Sequence, residues 1–308
     1  MTARAVVFGY QDVGDRCLRV LVAQGVDVPL VVTHSPDAGE TPWYASVSQT
    51  ARELGIPVLT PEDPERAGLD RILTELRPDF LFSFYYRRML STSLLQHARR
   101  GALNMHGSLL PKYRGRAPVN WAILCGEKQT GATLHHMCAQ ADAGDIVDQL
   151  AVPILPDDDA RAVMGKVTAA AETVLARSLP ALLNGTARRT PQKLEEGQYF
   201  GRRSPEDGRI DWWQPAEYVH NLVRAVAPPF PGAFTDIAGK RWWFHKTRMM
   251  SRPPLAPGLP RLFAEDGHCY IACGDGSLLE LLAGRTAEGE LDLTALAPEL
   301  AQRPLSLR

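Results

Sequence analysis

Long apolar runs are missing from this 308-residue chain, and so is any CxxC pair. A bilayer-spanning helix needs roughly 20 consecutive apolar residues, and the opening Met-Thr-Ala-Arg passes straight into a strand-like run with no leader pattern. No membrane insertion and a cytoplasmic location are therefore expected. The cysteines Cys17, Cys125, Cys138, Cys269 and Cys273 are an odd number without disulfide or metal-ligand spacing, which reads as reduced thiols. Net charge is scarce as well. Lys and Arg number 34 against 35 Asp and Glu, a formal charge of -1, so no broad polyanion-binding field exists and nucleic acid is disfavoured as a partner. The first strand-to-helix turn lacks GxGxxG: only Gly9 and Gly14 are there, with Tyr10 and Gln11 where a pyrophosphate would need bare backbone, so no nicotinamide cofactor is expected.

What the chain does have is alternation. β-rich runs at 5–9, 28–33, 56–59 and 79–84 are separated by helical patterns around 16–24, 45–54 and 70–76, and a helix near 91–99 precedes the run at 102–106. Strand and helix in turn predict an α/β fold with a doubly wound, mostly parallel sheet. A long Ala- and Leu-spaced helix is expected over 159–183. Composition then shifts through a turn-rich, basic stretch. Beyond it, a helix at 216–225 and short runs at 233–237, 241–245, 269–272 and 277–282, parted by Gly and Pro, suggest a small β-barrel. Two domains follow, 1–203 and 204–308. Trp212, Trp213, Trp242 and Trp243 are expected to build the second.

The chemistry concentrates at 104–108. In an extended strand Asn104 and His106 share a face while Leu103 and Met105 take the other. The carboxyl end of such a strand is where a doubly wound sheet puts its ligands. An amide donor, a titratable imidazole and a carboxylate, Asp142, supply what acyl transfer needs without a covalent intermediate. Ser108 has no assigned base and lies in no nucleophile elbow, so it reads as a loop-holding residue. His135 and His136 are adjacent on a strand and face opposite ways, which argues against a metal. Lys112, Arg114 and Arg116 are open to two readings, a solvated loop or contacts to an anion.

The run Asn104-Met105-His106-Gly107-Ser108-Leu109-Leu110-Pro111-Lys112-Tyr113-Arg114-Gly115 resembles the signature of the folate-dependent formyltransferases, and Ala141 to Asp145 resembles their second motif. The likeness extends over nearly the whole chain. Residues 82–87, 114–121 and 200–208 look more specifically like the branch that formylates UDP-4-amino-4-deoxy-L-arabinose in lipid A modification and polymyxin resistance. The resemblance implies a Rossmann-like catalytic fold with an OB-like C-terminal domain, N10-formyltetrahydrofolate as formyl donor, and a nucleotide-linked amino sugar as acceptor. It implies Asn104, His106 and Asp142 as catalytic residues, and a folate pocket at Arg88, Met89, Leu90, Arg116, Cys138, Ala139, Gln140, Ala141 and Asp142. Asp142 could raise the basicity of His106 or take the substrate's proton; both stay open. The branch relative also carries a decarboxylating dehydrogenase, so a separate polypeptide is expected to supply that step. Methionyl-tRNA formyl transfer is the alternative activity.

Overall fold

The computed structural model describes residues 2–36, 42–65 and 68–307, in two compact units. The first comprises 1–118, 130–152 and 165–201; the second comprises 119–129, 153–164 and 202–308.

In the first unit the chain runs β1 (Arg4–Gly9), α1 (Gln11–Ala23), β2 (Asp27–Val32), α2 (Val47–Glu53), β3 (Val58–Leu59), α3 (Leu69–Leu76), β4 (Phe80–Phe84), α4 (Thr92–Leu95) and β5 (Gly101–His106). Later come β6 (Arg114–Gly115), α5 (Pro118–Leu124), β7 (Gln129–His136), β8 (Ile146–Pro153), α6 (Ala160–Asn184) and β9 (Tyr199–Phe200), of which α5 after Pro118 and α6 up to Met164 belong to the second unit. Seven strands form one sheet in the order β3-β2-β1-β4-β5-β7-β8, parallel from β3 to β5 and antiparallel between β5 and β7. Every residue of β4 is buried and β1 is buried after its first residue, as strands covered on both faces must be. Phe80, Phe82 and Phe84 take alternate positions and stack along one face of β4, with centroids 5.7 and 5.5 Å apart. On the other face Val6, Phe8, Leu30, Val32 and Leu81 pack with Leu69 and Leu73 of α3. The strand order reverses direction between β1 and β4, the kind of switch point that opens a crevice at the carboxyl ends.

One helix is shorter than its pattern suggests. The expected 91–99 helix is only Thr92–Leu95, capped by the Ser91 hydroxyl accepting from Leu94 N–H. The amides of Arg99 and Arg100 donate to the carbonyls of Pro78 and Asp79, which commits the chain to the edge of β4 and the start of β5.

The second unit contains α7 (Ala216–Ala225), β10 (Ala233–Ile237), β11 (Lys240–Met249), β12 (Arg261–Glu265), β13 (His268–Ala272), β14 (Leu278–Thr286), β15 (Gly289–Glu290), α8 (Leu293–Gln302) and β16 (Leu305–Ser306). The barrel-like antiparallel sheet runs β10-β11-β14-β13-β12-β16. Buried His220 on α7 ties to Thr247 Oγ1 at 2.9 Å and to the Pro156 carbonyl at 3.0 Å. Trp212 is buried edge-on against Phe244, whereas Trp213 is exposed. No helix among the described residues is long and apolar enough to cross a membrane.

Candidate active site

β5 and β7 build the floor of the site. Their register sets Asn104 opposite His135 and His106 opposite Thr133, so all four side chains are cross-strand neighbours. His106 is 6% exposed and His135 1%. Leu103 and Met105 are equally buried, because β5 is covered on both faces.

The loop after His106 closes over the strand end. A Cβ on Gly107 would lie 1.9 Å from the Tyr85 hydroxyl, so any side chain there would have to displace the Tyr85 ring. Ser108 is fully buried and donates to the Lys112 carbonyl at 2.6 Å, the loop-holding role its sequence context suggests. Thr133 Oγ1 donates to the Ser108 carbonyl at 2.6 Å, and Gln149 Nε2 donates to the Leu110 carbonyl and to Thr133 Oγ1. These bonds fix Tyr113, whose carbonyl accepts from His106 Nε2 at 2.8 Å. A carbonyl can only accept, so Nε2 bears hydrogen and Nδ1 is the nitrogen that faces Asp142.

Asp142 arrives from the loop between β7 and β8. Its backbone is left-handed, with φ of 52°, a conformation that Asp and Asn tolerate better than most residues. Gln192 Nε2 clamps the loop by donating to the carbonyls of Asp142 and Gly144, at 2.9 and 2.7 Å. Gly144 is sterically required, since a Cβ there would sit 2.0 Å from the His136 carbonyl oxygen. The carboxylate accepts from Gly115 N–H at 2.9 Å through Oδ2. Its Oδ1 lies 3.3 Å from Asn104 Nδ2, 3.6 Å from His106 Nδ1 and 3.5 Å from His135 Nε2. Burial alone would raise this carboxyl's pKa, but the charge of His106, with the Gly115 N–H, opposes it, and the group is held well below the usual carboxylate range.

Asn104, His106 and Asp142 therefore meet within hydrogen-bond or ion-pair reach. The other expected residues line the surroundings. Arg88 and Met89 are exposed and Leu90 is buried on the segment after β4, which is β5's parallel neighbour. Arg116 is exposed, its amide donating to the Phe200 carbonyl. Cys138, Ala139 and Gln140 are exposed on the β7–β8 loop, and Ala141 is half-buried beside Asp142. Among the described residues no group of three or more His, Cys, Asp or Glu could hold a metal. The sequence reading omitted His135 from the site, along with Gln192 and the Gly115 amide. Only the antiparallel register puts His135 beside Asn104.

An amide, a buried imidazole and a charged carboxylate on a parallel-sheet strand end match a group-transfer centre, and comparison with known proteins decides which. The sequence model of the formyl transferases matches residues 5–179, and that of the formyl transferase C-terminal domain matches residues 202–291. The chain belongs to the formyl transferase family. This formyltransferase is similar in fold to an N-formyltransferase from Helicobacter canadensis, solved with folinic acid and dTDP-3-aminofucose; identity is 20%, TM-score 0.73, and 94% of this chain and 100% of that one are covered. It is also similar to WlaRD, a sugar 3N-formyl transferase solved with dTDP and 5-N-formyl-THF, at 19% identity and TM-score 0.73 over 95% and 99% of the two chains. HypX from Aquifex aeolicus, in complex with tetrahydrofolic acid, is 19% identical with TM-score 0.65; 98% of this formyltransferase covers 48% of that chain.

Proposed function

We propose that this formyltransferase moves the formyl group of N10-formyltetrahydrofolate to the amine of a nucleotide-linked amino sugar, specifically UDP-4-amino-4-deoxy-L-arabinose for lipid A modification and polymyxin resistance. The observation that carries the chemistry is the convergence of Asn104, His106 Nδ1 and a charged Asp142 at the end of β5, where buried Ser108 is spent on the Lys112 carbonyl. The sugar acceptor is supported by the ligands of the similar structures, folinic acid with dTDP-3-aminofucose and 5-N-formyl-THF with dTDP, together with the branch-like segments 82–87, 114–121 and 200–208. Residues 1–203 serve as the catalytic domain and 204–308 as the C-terminal domain of this reading.

The amine nitrogen attacks the formyl carbon, and negative charge gathers on the formyl oxygen. Two donors meet it: the Asn104 N–H now shared loosely with Asp142 at 3.3 Å, and His106 Nδ1–H when the ring is protonated. The carbon to folate-nitrogen bond then breaks. The attacking nitrogen loses a proton toward Asp142 or water, and the departing nitrogen gains one from His106, leaving a formamide and tetrahydrofolate. Arg88, Met89, Leu90, Arg116 and residues 138–142 hold the folate, with exposed Arg88 and Met89 contributing mainly through backbone.

Purified protein incubated with N10-formyltetrahydrofolate and the UDP-amino sugar should yield the formylated sugar nucleotide by mass spectrometry. Formylation of methionyl-tRNA with no sugar product would replace this acceptor assignment.

A further inference from the structure

The mechanism above uses Asn104 as a donor, yet a side-chain amide can present either its nitrogen or its oxygen to a substrate. Something must decide which. Around Asn104 Nδ2 stand two atoms, Asp142 Oδ1 at 3.3 Å and His135 Nε2 at 3.1 Å. A carboxylate oxygen accepts. The role of His135 Nε2 depends on its other ring nitrogen, and that is settled nearby: His135 Nδ1 lies 2.9 Å from the His136 carbonyl, which can only accept, so Nδ1 bears the hydrogen. On the neutral ring Nε2 is then a lone pair aimed at Asn104, with Asp142 Oδ1 3.5 Å away. Both neighbours of the amide nitrogen are acceptors, and turning the amide over would set its oxygen against a lone pair and a carboxylate.

Resting on the formyl-transfer reading, we propose that His135 is a positioning residue that fixes the orientation of the Asn104 amide through its Nδ1–H tautomer. His135 touches no reacting atom. It acts from the neighbouring strand, held by burial and by the cross-strand register of β5 and β7. The shorter contact to His135 anchors one N–H, and the longer contact to Asp142 leaves the other N–H exchangeable for the formyl oxygen. This is why a buried histidine stands on the β7 side of the site although neither proton transfer passes through it.

Two measurements test this. Selective nitrogen-15 labelling of histidine in the wild-type protein, with His135→Gln used for assignment, reads the tautomer by NMR without any turnover. A hydrogen on Nδ1 and none on Nε2 of His135 is expected; a hydrogen on Nε2 overturns the proposal. In the second, His135→Leu removes the acceptor and His135→Gln keeps an oxygen near the Nε2 position. Deleting an oxyanion donor costs about a hundredfold to a thousandfold, so misaiming one should lower kcat of the Leu variant on the order of 10- to 100-fold, with KM for the formyl donor within about threefold. The Gln variant should recover to within about fivefold of wild type. Equal kcat in the two variants, or a Leu variant as active as wild type, also overturns it. Should the Leu variant fail to fold, the tautomer measurement still decides. A wild-type protein that formylates no amine refutes the formyl-transfer reading instead, which the NMR result does not depend on.

Discussion

Asp142→Asn is the most informative single change at this site. Asn keeps the shape of the side chain, tolerates the left-handed backbone at 142, and retains an oxygen for the Gly115 N–H. What it removes is one negative charge 3.6 Å from His106 Nδ1. At an effective dielectric of about 20, unit charges at that distance attract by about 4–5 kcal/mol, an upper bound because burying the carboxylate opposes it. If ~3–4 kcal/mol of this serves to hold His106 protonated as its Nδ1–H meets the charge on the formyl oxygen, kcat should fall by a factor of roughly 10² to 10³. KM for the formyl donor should stay within about threefold, since an interaction made only in the transition state leaves ground-state binding alone. The assay is steady-state formylation of the amino sugar followed by mass spectrometry, with a thermal melt confirming the fold. A variant with kcat within fivefold of wild type would refute the electrostatic role given to Asp142, and an unchanged kcat with a raised KM would reassign the residue to binding.

The folded-state pKa of Asp142 lies below its unfolded value, so its contribution to stability is complete above the ordinary carboxylate pKa of about 3.9 and declines as pH falls through the folded value. The stability gap between wild type and Asp142→Asn should therefore be flat above about pH 5 and narrow in acid, as denaturant titrations across pH would show. Ser108→Ala deletes a loop bond of about 1 kcal/mol, lowering the melting temperature modestly, and intact mass of the working wild-type enzyme should reveal no formyl adduct. Gly144→Ala forces a methyl into the His136 carbonyl and should cost about 1–3 kcal/mol with a large fall in kcat, because the Asp142 loop must move. Gln192→Ala leaves the carbonyls of Asp142 and Gly144 without their donor, and a thermal melt should register a loss of about 1–3 kcal/mol.

Much of the scaffold was legible because the signals are local. Alternation along 102–106 put Asn104 and His106 on one face, and the β-rich runs at 5–9 and 79–84 read as the strands that became β1 and β4. The 91–99 helix was overcalled for the opposite reason: its ending is set by the carbonyls of Pro78 and Asp79, which lie far away in sequence. The short strands β12, β15 and β16 were not read at all, since segments of two to five residues carry too little periodicity to stand out.

The sequence by itself determined the alternating α/β scaffold, the motif residues and the lack of a credible nucleophile, since these depend on residue type and near spacing. Tertiary structure decided how those residues work. The Tyr113 carbonyl takes Nε2 of His106 and leaves Nδ1 facing Asp142, the Gly115 amide and the Gln192 clamp hold Asp142 at the strand end, and the β5–β7 register brings His135 to Asn104. Each of these is a hydrogen bond between segments separated along the chain. Their partners are chosen by sheet register and loop closure, which only the packed fold specifies.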